Sequence, residues 1–128
     1  MAVTVLIVDD DAGFRDVVRR MLESCGFNVV AEASEATEAD AAVAKLRPEL
    51  VLVDVQLPGE DGLELTRRLT SLPTGPAVVL ISSRDARDYG RRLEESGARG
   101  FIPKARLSCQ TVYVLMQKPG ILRNGGSR

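Results

Sequence analysis

The residues able to do chemistry sit at one recurring place in this 128-residue chain: directly after short apolar runs. Residues 3–8 run into Asp9, Asp10 and Asp11, and residues 50–53 run into Asp54. Residues 77–81 run into Ser82 and Ser83, and residues 101–103 run into Lys104. Two carboxylates ~4 Å apart repel by roughly 4 kcal/mol at an effective dielectric near 20, so acids brought together from two such ends need cations. Lys104 supplies one charge. Mg²⁺ is the natural second, a hard ion held by one or two carboxylates, waters and phosphate oxygens. A carboxylate, a hydroxyl, a lysine and Mg²⁺ suit phosphoryl transfer to the carboxylate. Asp54 would attack, Mg²⁺ and Lys104 would neutralise the equatorial oxygens, and Ser82 would donate a hydrogen bond.

The chain contains no histidine, which removes the commonest general base. A zinc site would need both cysteines and two carboxylates and is disfavoured. Cys25 and Cys109 are expected to fill small apolar sites in the core rather than to form a bridge.

The apolar runs themselves read as strands. They are short, continuous and β-branched, the pattern of strands buried on both faces, and the run before Asp54 is followed by Pro58, Gly59 and Gly62, which mark a loop. Between the runs lie helical stripes. Phe14, Val17, Val18, Met21, Leu22 and Cys25 form one, with Asp11 as its cap and Gly26 as its stop. A strand follows at 28–33. Ala39, Ala42, Val43 and Leu46 form a second stripe, ended by Pro48, and Leu65, Leu69 and Leu72 a third. Gly59, Asp61 and Gly62 are expected to shape the turn and start that third helix. Residues 85–96 predict one weak helix, with Ala86, Tyr89 and Leu93 inward and Gly90 inside; a mid-helix Gly costs roughly 1 kcal/mol against Ala.

The β-α alternation, repeated five times, predicts a single α/β domain: a doubly wound five-stranded parallel sheet with helices on both faces. All four polar strand ends then lie at one edge, where ligands bind in such sheets. The second strand ends in Ala33 and Ser34, which suits an outermost position. Residues 110–118 are β-branched for a last helix, so this element is atypical. A short helix ended by Pro119 is expected; the alternative is an extended segment able to pair with another chain. Residues 1–118 form the domain and 119–128 a loose tail.

With 17 basic and 18 acidic residues, the chain lacks the basic excess of a nucleic-acid-binding domain. No apolar run approaches membrane-spanning length, and the first residues lack the regions of a signal peptide, so the expectation is a cytoplasmic protein without membrane contact.

The motifs Leu6-Ile7-Val8-Asp9-Asp10, Val53-Asp54 through Gly62, Leu80-Ile81-Ser82-Ser83 and Gly97 through Lys104 together resemble the receiver domain of two-component response regulators. The resemblance covers roughly residues 3–107. It implies the flavodoxin-like (βα)5 fold with strand order 2-1-3-4-5, an order the general rules of α/β folds give for a member of this family. It implies Asp54 as the phosphoacceptor, charged by the phosphohistidine of a sensor histidine kinase or phosphotransfer protein. Asp10, Asp54 and the backbone carbonyl of Gln56 would bind Mg²⁺, with Asp9 acting through water. Ser82 and Lys104 would hold the phosphoryl group. Phe101 would be the aromatic switch that follows Ser82, changing the α4-β5-α5 output face toward a downstream effector, an output domain or a second copy of the chain. Gln56 and Arg84, two residues beyond Asp54 and Ser82, would modulate phosphoryl lifetime.

Two positions depart from the family pattern. Ser83 stands where Ala or Gly usually follows the switch hydroxyl, and it is small enough to keep access. Ala105 follows Lys104 where the family usually has a proline in a cis peptide, which leaves the loop geometry there open.

Such a domain is not an enzyme in the ordinary sense; it takes part in its own phosphoryl transfer and dephosphorylation. A phosphatase resembling haloacid dehalogenases is disfavoured because Gln56 stands where their second Asp would be. A receiver-like module that binds partners without phosphorylation is the alternative.

Overall fold

The strand at the centre of the sheet is built from Leu-Val-Leu-Val-Asp, and all five residues are buried. Only a position flanked by strands on both edges and helices on both faces can bury such a run. The computed structural model describes residues 2–117. In chain order the elements are β1 (Thr4–Val8), α1 (Ala12–Ser24), β2 (Asn28–Ala33), α2 (Ala36–Leu46), β3 (Leu50–Asp54) and α3 (Gly62–Thr70). There follow β4 (Ala77–Ser82), a 3-10 turn (Ala86–Asp88), α4 (Arg91–Glu95), β5 (Gly100–Pro103), a second 3-10 turn (Lys104–Arg106) and α5 (Cys109–Gln117). The sheet has the order β2-β1-β3-β4-β5, with every pairing parallel. The expected fold and strand order are therefore the observed ones.

Alternation along each strand divides the core in two. Leu6, Val8, Val51, Val53, Val78 and Leu80 face α2 and α3, together with Tyr89, Leu93 and Phe101. Val5, Ile7, Leu50, Leu52, Val79 and Ile81 face α1 and α5 through Val18, Leu22 and Val112.

Four readings of the sequence need correction. Val17 belongs to the α1 stripe by spacing but is 64% exposed, because Val18 and Leu22 fill the narrow face that α1 turns to the sheet. Leu46, the last residue of α2, and Leu72, beyond the end of α3, are 43% and 45% exposed, because each stripe loses its cover where its helix ends. The single helix expected over 85–96 is two pieces. Gly90 takes φ +58°, in the left-handed half of backbone space, between the Ala86–Asp88 turn and α4, and neither piece has a buried residue.

The fourth correction concerns the cysteines. Cys25 and Cys109 are joined as a disulfide rather than packed as free thiols. The C-cap of α1 and the first residue of α5 bring their Cα atoms to 6.4 Å, within bridging range. The 84-residue separation hides this approach in the sequence.

Residues 109–117 form a helix, so within the described residues the extended alternative does not hold. Its β-branched content is tolerated because Val112 is fully buried against the sheet and Ser108 Oγ accepts a hydrogen bond from the Thr111 N–H. Tertiary burial here overrides a weak intrinsic propensity. Pro119 and the expected tail at 119–128 lie outside the described residues. Among the described residues, no helix is long and apolar enough to cross a membrane.

Candidate functional site

Parallel pairing brings the C-terminal ends of β1, β3, β4 and β5 to one edge, and the chain turns there in a repeated way. The Asp11 N–H donates to Asp9 Oδ1 at 2.8 Å, the Gln56 N–H to Asp54 Oδ1 at 3.0 Å, and the Arg84 N–H to Ser82 Oγ at 2.9 Å. Each strand-end side chain thus closes a short turn with the backbone two residues on, as Asp and Ser do locally. The same bond that shapes the loop fixes the side chain. Gln56 and Arg84 contribute through their backbones, and both side chains are exposed.

Asp9 is fully buried, Asp54 is 4% exposed and Asp10 is open to solvent. One oxygen from each lies within 4.8 Å of the others. Lys104 Nζ stands between the buried pair, 2.8 Å from Asp9 Oδ2 and 3.2 Å from Asp54 Oδ2. The ammonium also lies 4.3 Å from the centre of the Phe14 ring, which favours it electrostatically. Burial pushes the Asp54 carboxyl above the usual carboxylate range and the Asp9 charge adds to this; the Gln56 N–H and Lys104 only partly offset them. Burial also opposes the Lys104 charge, but Asp9 and Asp54 together outweigh it and hold the ammonium above its ordinary range.

The donor set fits a hard divalent cation. It consists of three carboxylates around one point, with Lys104 beside the buried pair as the cation the structure places there. Oxygen-only donors of high negative charge match Mg²⁺ rather than zinc.

The loop after β3 is held by Gly62, whose N–H donates to the Val55 carbonyl at 2.7 Å. A Cβ at Gly62 would lie 2.1 Å from the Asp54 carbonyl oxygen, so only glycine lets α3 start this close to the acidic edge. Asp61 caps that helix by accepting from the Glu64 N–H, as Asp11 caps α1 by accepting from Phe14. The sequence predicts Asp11 as a cap, and it predicts Asp61 only as part of the turn that starts the helix.

Ser82 is fully buried, and its hydroxyl bonds the Tyr89 hydroxyl at 2.7 Å. The Tyr89 ring in turn lies 6.1 Å from the ring of Phe101, which is half-buried beside the α2–α3 side of the core. Ser83 is exposed. Lys104 leaves β5 through the Lys104–Arg106 turn, and no described peptide bond is cis.

Asp9, Asp10, Asp54 and Lys104 are thus brought together, while Ser82 points its hydroxyl to Tyr89. Sequence reasoning missed Phe14 and Tyr89. For Tyr89 a signal existed: an inward-facing tyrosine carries a hydroxyl that needs a partner, whereas Phe14 is indistinguishable from any core aromatic.

Comparison with known proteins agrees with this geometry. Residues 5–109 match the family described as "Response regulator receiver domain". The chain is 39% identical over 100 residues to the DNA-binding response regulator MtrA of Mycolicibacterium paratuberculosis, covering 78% of this chain and 44% of that protein. It is 35% identical over 104 residues to the response regulator MprA of Mycobacterium sp. strain KMS, covering 81% and 45%. The chain thus spans less than half the length of these relatives. Among solved structures, the receiver domain of NarL from Mycobacterium tuberculosis superposes with a TM-score of 0.81 at 28% identity, over 91% of this chain and 98% of that one. The BeF3-activated receiver domain of RstA from Klebsiella pneumoniae gives 0.76 at 30% identity, over 88% and 95%.

Proposed function

This chain belongs to the response regulator receiver family, and on that premise we propose that Asp54 accepts a phosphoryl group from the phosphohistidine of a sensor histidine kinase or phosphotransfer protein. The observation that carries this reading is the placement of one lysine, 3.2 Å from Asp54 and 2.8 Å from Asp9, at an acidic strand edge. An Asp54 oxygen attacks phosphorus, a P–O bond forms, and the P–N bond breaks with its electron pair left on the imidazole nitrogen. Lys104 moves from neutralising two carboxylates to neutralising phosphoryl oxygens, a preorganised charge that needs little rearrangement. Ser82 donates its hydroxyl to the same group. Asp10, Asp54 and the Gln56 carbonyl would hold Mg²⁺, with Asp9 acting through water, and the ion would supply the remaining positive charge.

Residues 1–118 act as the receiver, and Gln56, Ser83 and Arg84 border the phosphoryl group and modulate its lifetime. Phosphorylation biases the weak 86–95 segment, Phe101 and α5 toward a partner-binding state, the readout being a downstream effector, an output domain or a second copy of the chain. The chain itself makes no direct nucleic-acid or membrane contact and works in the cytoplasm.

The test is intact mass after incubation with acetyl phosphate, with and without Mg²⁺, for wild type and Asp54→Asn. A Mg²⁺-dependent phosphoryl adduct lost in Asp54→Asn is expected. A folded wild type that takes up no phosphoryl group overturns the proposal in favour of a phosphorylation-independent module.

A further inference from the structure

Unlike Lys104, which bonds both Asp9 and Asp54, Ser82 has no described bond to the acidic cluster. It is fully buried, and its two described partners are the Arg84 N–H at 2.9 Å and the Tyr89 hydroxyl at 2.7 Å. A serine hydroxyl has one proton to donate and two lone pairs to accept with. The Arg84 N–H takes one lone pair, and Tyr89 engages either the proton or the second lone pair.

Tyr89 is also the hinge of a weakly attached segment. It is the C-cap of the Ala86–Asp88 turn and precedes Gly90, which has φ +58°. Neither that turn nor the five-residue α4 contains a buried residue. The segment is fastened by the Tyr89 hydroxyl on Ser82, the Tyr89 ring against Phe101, the partly buried Leu93 on the core and the exposed Arg92–Asp61 ion pair; of these only the Tyr89 hydroxyl bonds a residue of the site. A segment with few buried contacts is one whose position a single hydrogen bond can bias.

We infer that Tyr89 is a positioning residue for phosphorylation: its hydroxyl latches Ser82 away from Asp54, and releasing that bond frees both the serine and the 86–95 segment. This rests on the reading of Asp54 as phosphoacceptor. When Ser82 donates to a phosphoryl oxygen, the Tyr89–Ser82 bond is given up, so Tyr89 competes with the phosphoryl group for the serine. The latch is this chain's own, since the residue expected to couple to Ser82 is Phe101, which has no hydroxyl.

The composition provides a direct probe, because the chain has no tryptophan and two tyrosines, Tyr89 and Tyr113. The experiment compares wild type, Tyr89→Phe, Ser82→Ala and Tyr89→Phe/Ser82→Ala, each with sub-saturating acetyl phosphate and Mg²⁺. It reads the steady-state ratio of phosphorylated to unmodified protein by intact mass. Tyr89→Phe should raise that ratio about three- to tenfold, the shift that one hydrogen bond accounts for, and should do nothing in the Ser82→Ala background. In Tyr113→Phe, which leaves Tyr89 as the sole fluorophore, phosphorylation should change the tyrosine emission. An unchanged or lowered ratio in Tyr89→Phe, with wild type still phosphorylated, overturns the latch; a lowered ratio would make Tyr89 a supporting donor. A wild type that takes no phosphoryl group overturns the receiver chemistry and the latch together.

Discussion

The Lys104 ammonium lies 3.2 Å from Asp54 Oδ2, and the same nitrogen lies closer still to the fully buried Asp9. The lysine from the last strand is therefore the counter-charge that lets two carboxylates from the first and third strands share one edge. Fold and proposed function meet in this one side chain, because the charge that balances Asp9 and Asp54 is the charge a phosphoryl group would use.

Removing that charge should damage stability as well as chemistry. Lys104→Met leaves Asp9 and Asp54 buried and facing each other, and breaking a buried ion pair on one side costs about 3–5 kcal/mol. Urea unfolding should show a loss in that range, and Asp54→Asn added to Lys104→Met should restore part of it. A Lys104→Met protein as stable as wild type would mean that water already screens the pair.

Mg²⁺ should stabilise the fold, and Asp10 is the acid through which to test this. It is exposed, so Asp10→Asn removes a cation ligand without leaving a buried charge unpaired. At tenfold excess over its dissociation constant, a ligand that binds only the native state adds about 1.4 kcal/mol. Thermal melts with and without Mg²⁺ should show that gain in wild type and much less of it in Asp10→Asn. Equal gains would place the cation elsewhere.

Gly62→Ala tests whether the β3–α3 loop positions Asp54. The added Cβ would stand 2.1 Å from the Asp54 carbonyl oxygen and 2.8 Å from Val55 Cα, and both are backbone atoms that cannot rotate away. Overpacking of this kind costs about 1–3 kcal/mol or more. The variant should lose stability and, because Asp54 must shift, lose Mg²⁺ affinity as well. Retained affinity in a destabilised variant would separate loop packing from the site.

Much of this was legible in the chain. Leu50–Asp54 announces a central strand because no other position can bury Leu, Val, Leu and Val in succession, and the polar strand ends announce an edge. What escaped depends on distance in space rather than pattern. The approach of Cys25 to Cys109 spans 84 residues, and the Tyr89–Ser82 bond depends on how Gly90 breaks a helix that periodicity alone would have drawn as continuous. Val17 failed for a different reason: spacing gives the direction of a stripe but not its width, and Val17 lies outside the face that Val18 and Leu22 bury.

Glu32 on β2 offers a pH test away from the acidic cluster. Burial works against its charge, but hydrogen bonds and attraction from Arg15 and Arg19 on α1 prevail and hold its carboxyl below the ordinary value of 4.5. The folded value lies below the unfolded one, so the added stability is present above pH ~4.5 and is lost as pH falls through the depressed folded value. Glu32→Gln should lower the thermal midpoint by a few degrees at pH 7. The difference from wild type should close as pH drops below the ordinary carboxylate value. A difference that does not change with pH would assign the effect to packing.

The Cys25–Cys109 bond should make stability depend on redox conditions. It joins the end of α1 to the start of α5, so it pins the last helix, which has one buried residue of its own, Val112, to the first. Closing a loop of 84 residues restricts the unfolded chain somewhat more than a short crosslink does, because the effect grows with the logarithm of loop length, and natural bridges contribute about 2–5 kcal/mol. Thiol titration of the unfolded protein should find no free thiol before reduction and both after it. Dithiothreitol should lower the unfolding midpoint of wild type and leave Cys25→Ser/Cys109→Ser unaffected. Because α5 has Val112 as its one buried residue, reduction should also speed amide exchange in α5 more than in α1 or the sheet. Two titratable thiols in the unreduced protein would return the cysteines to the packing role that their sequence context suggested.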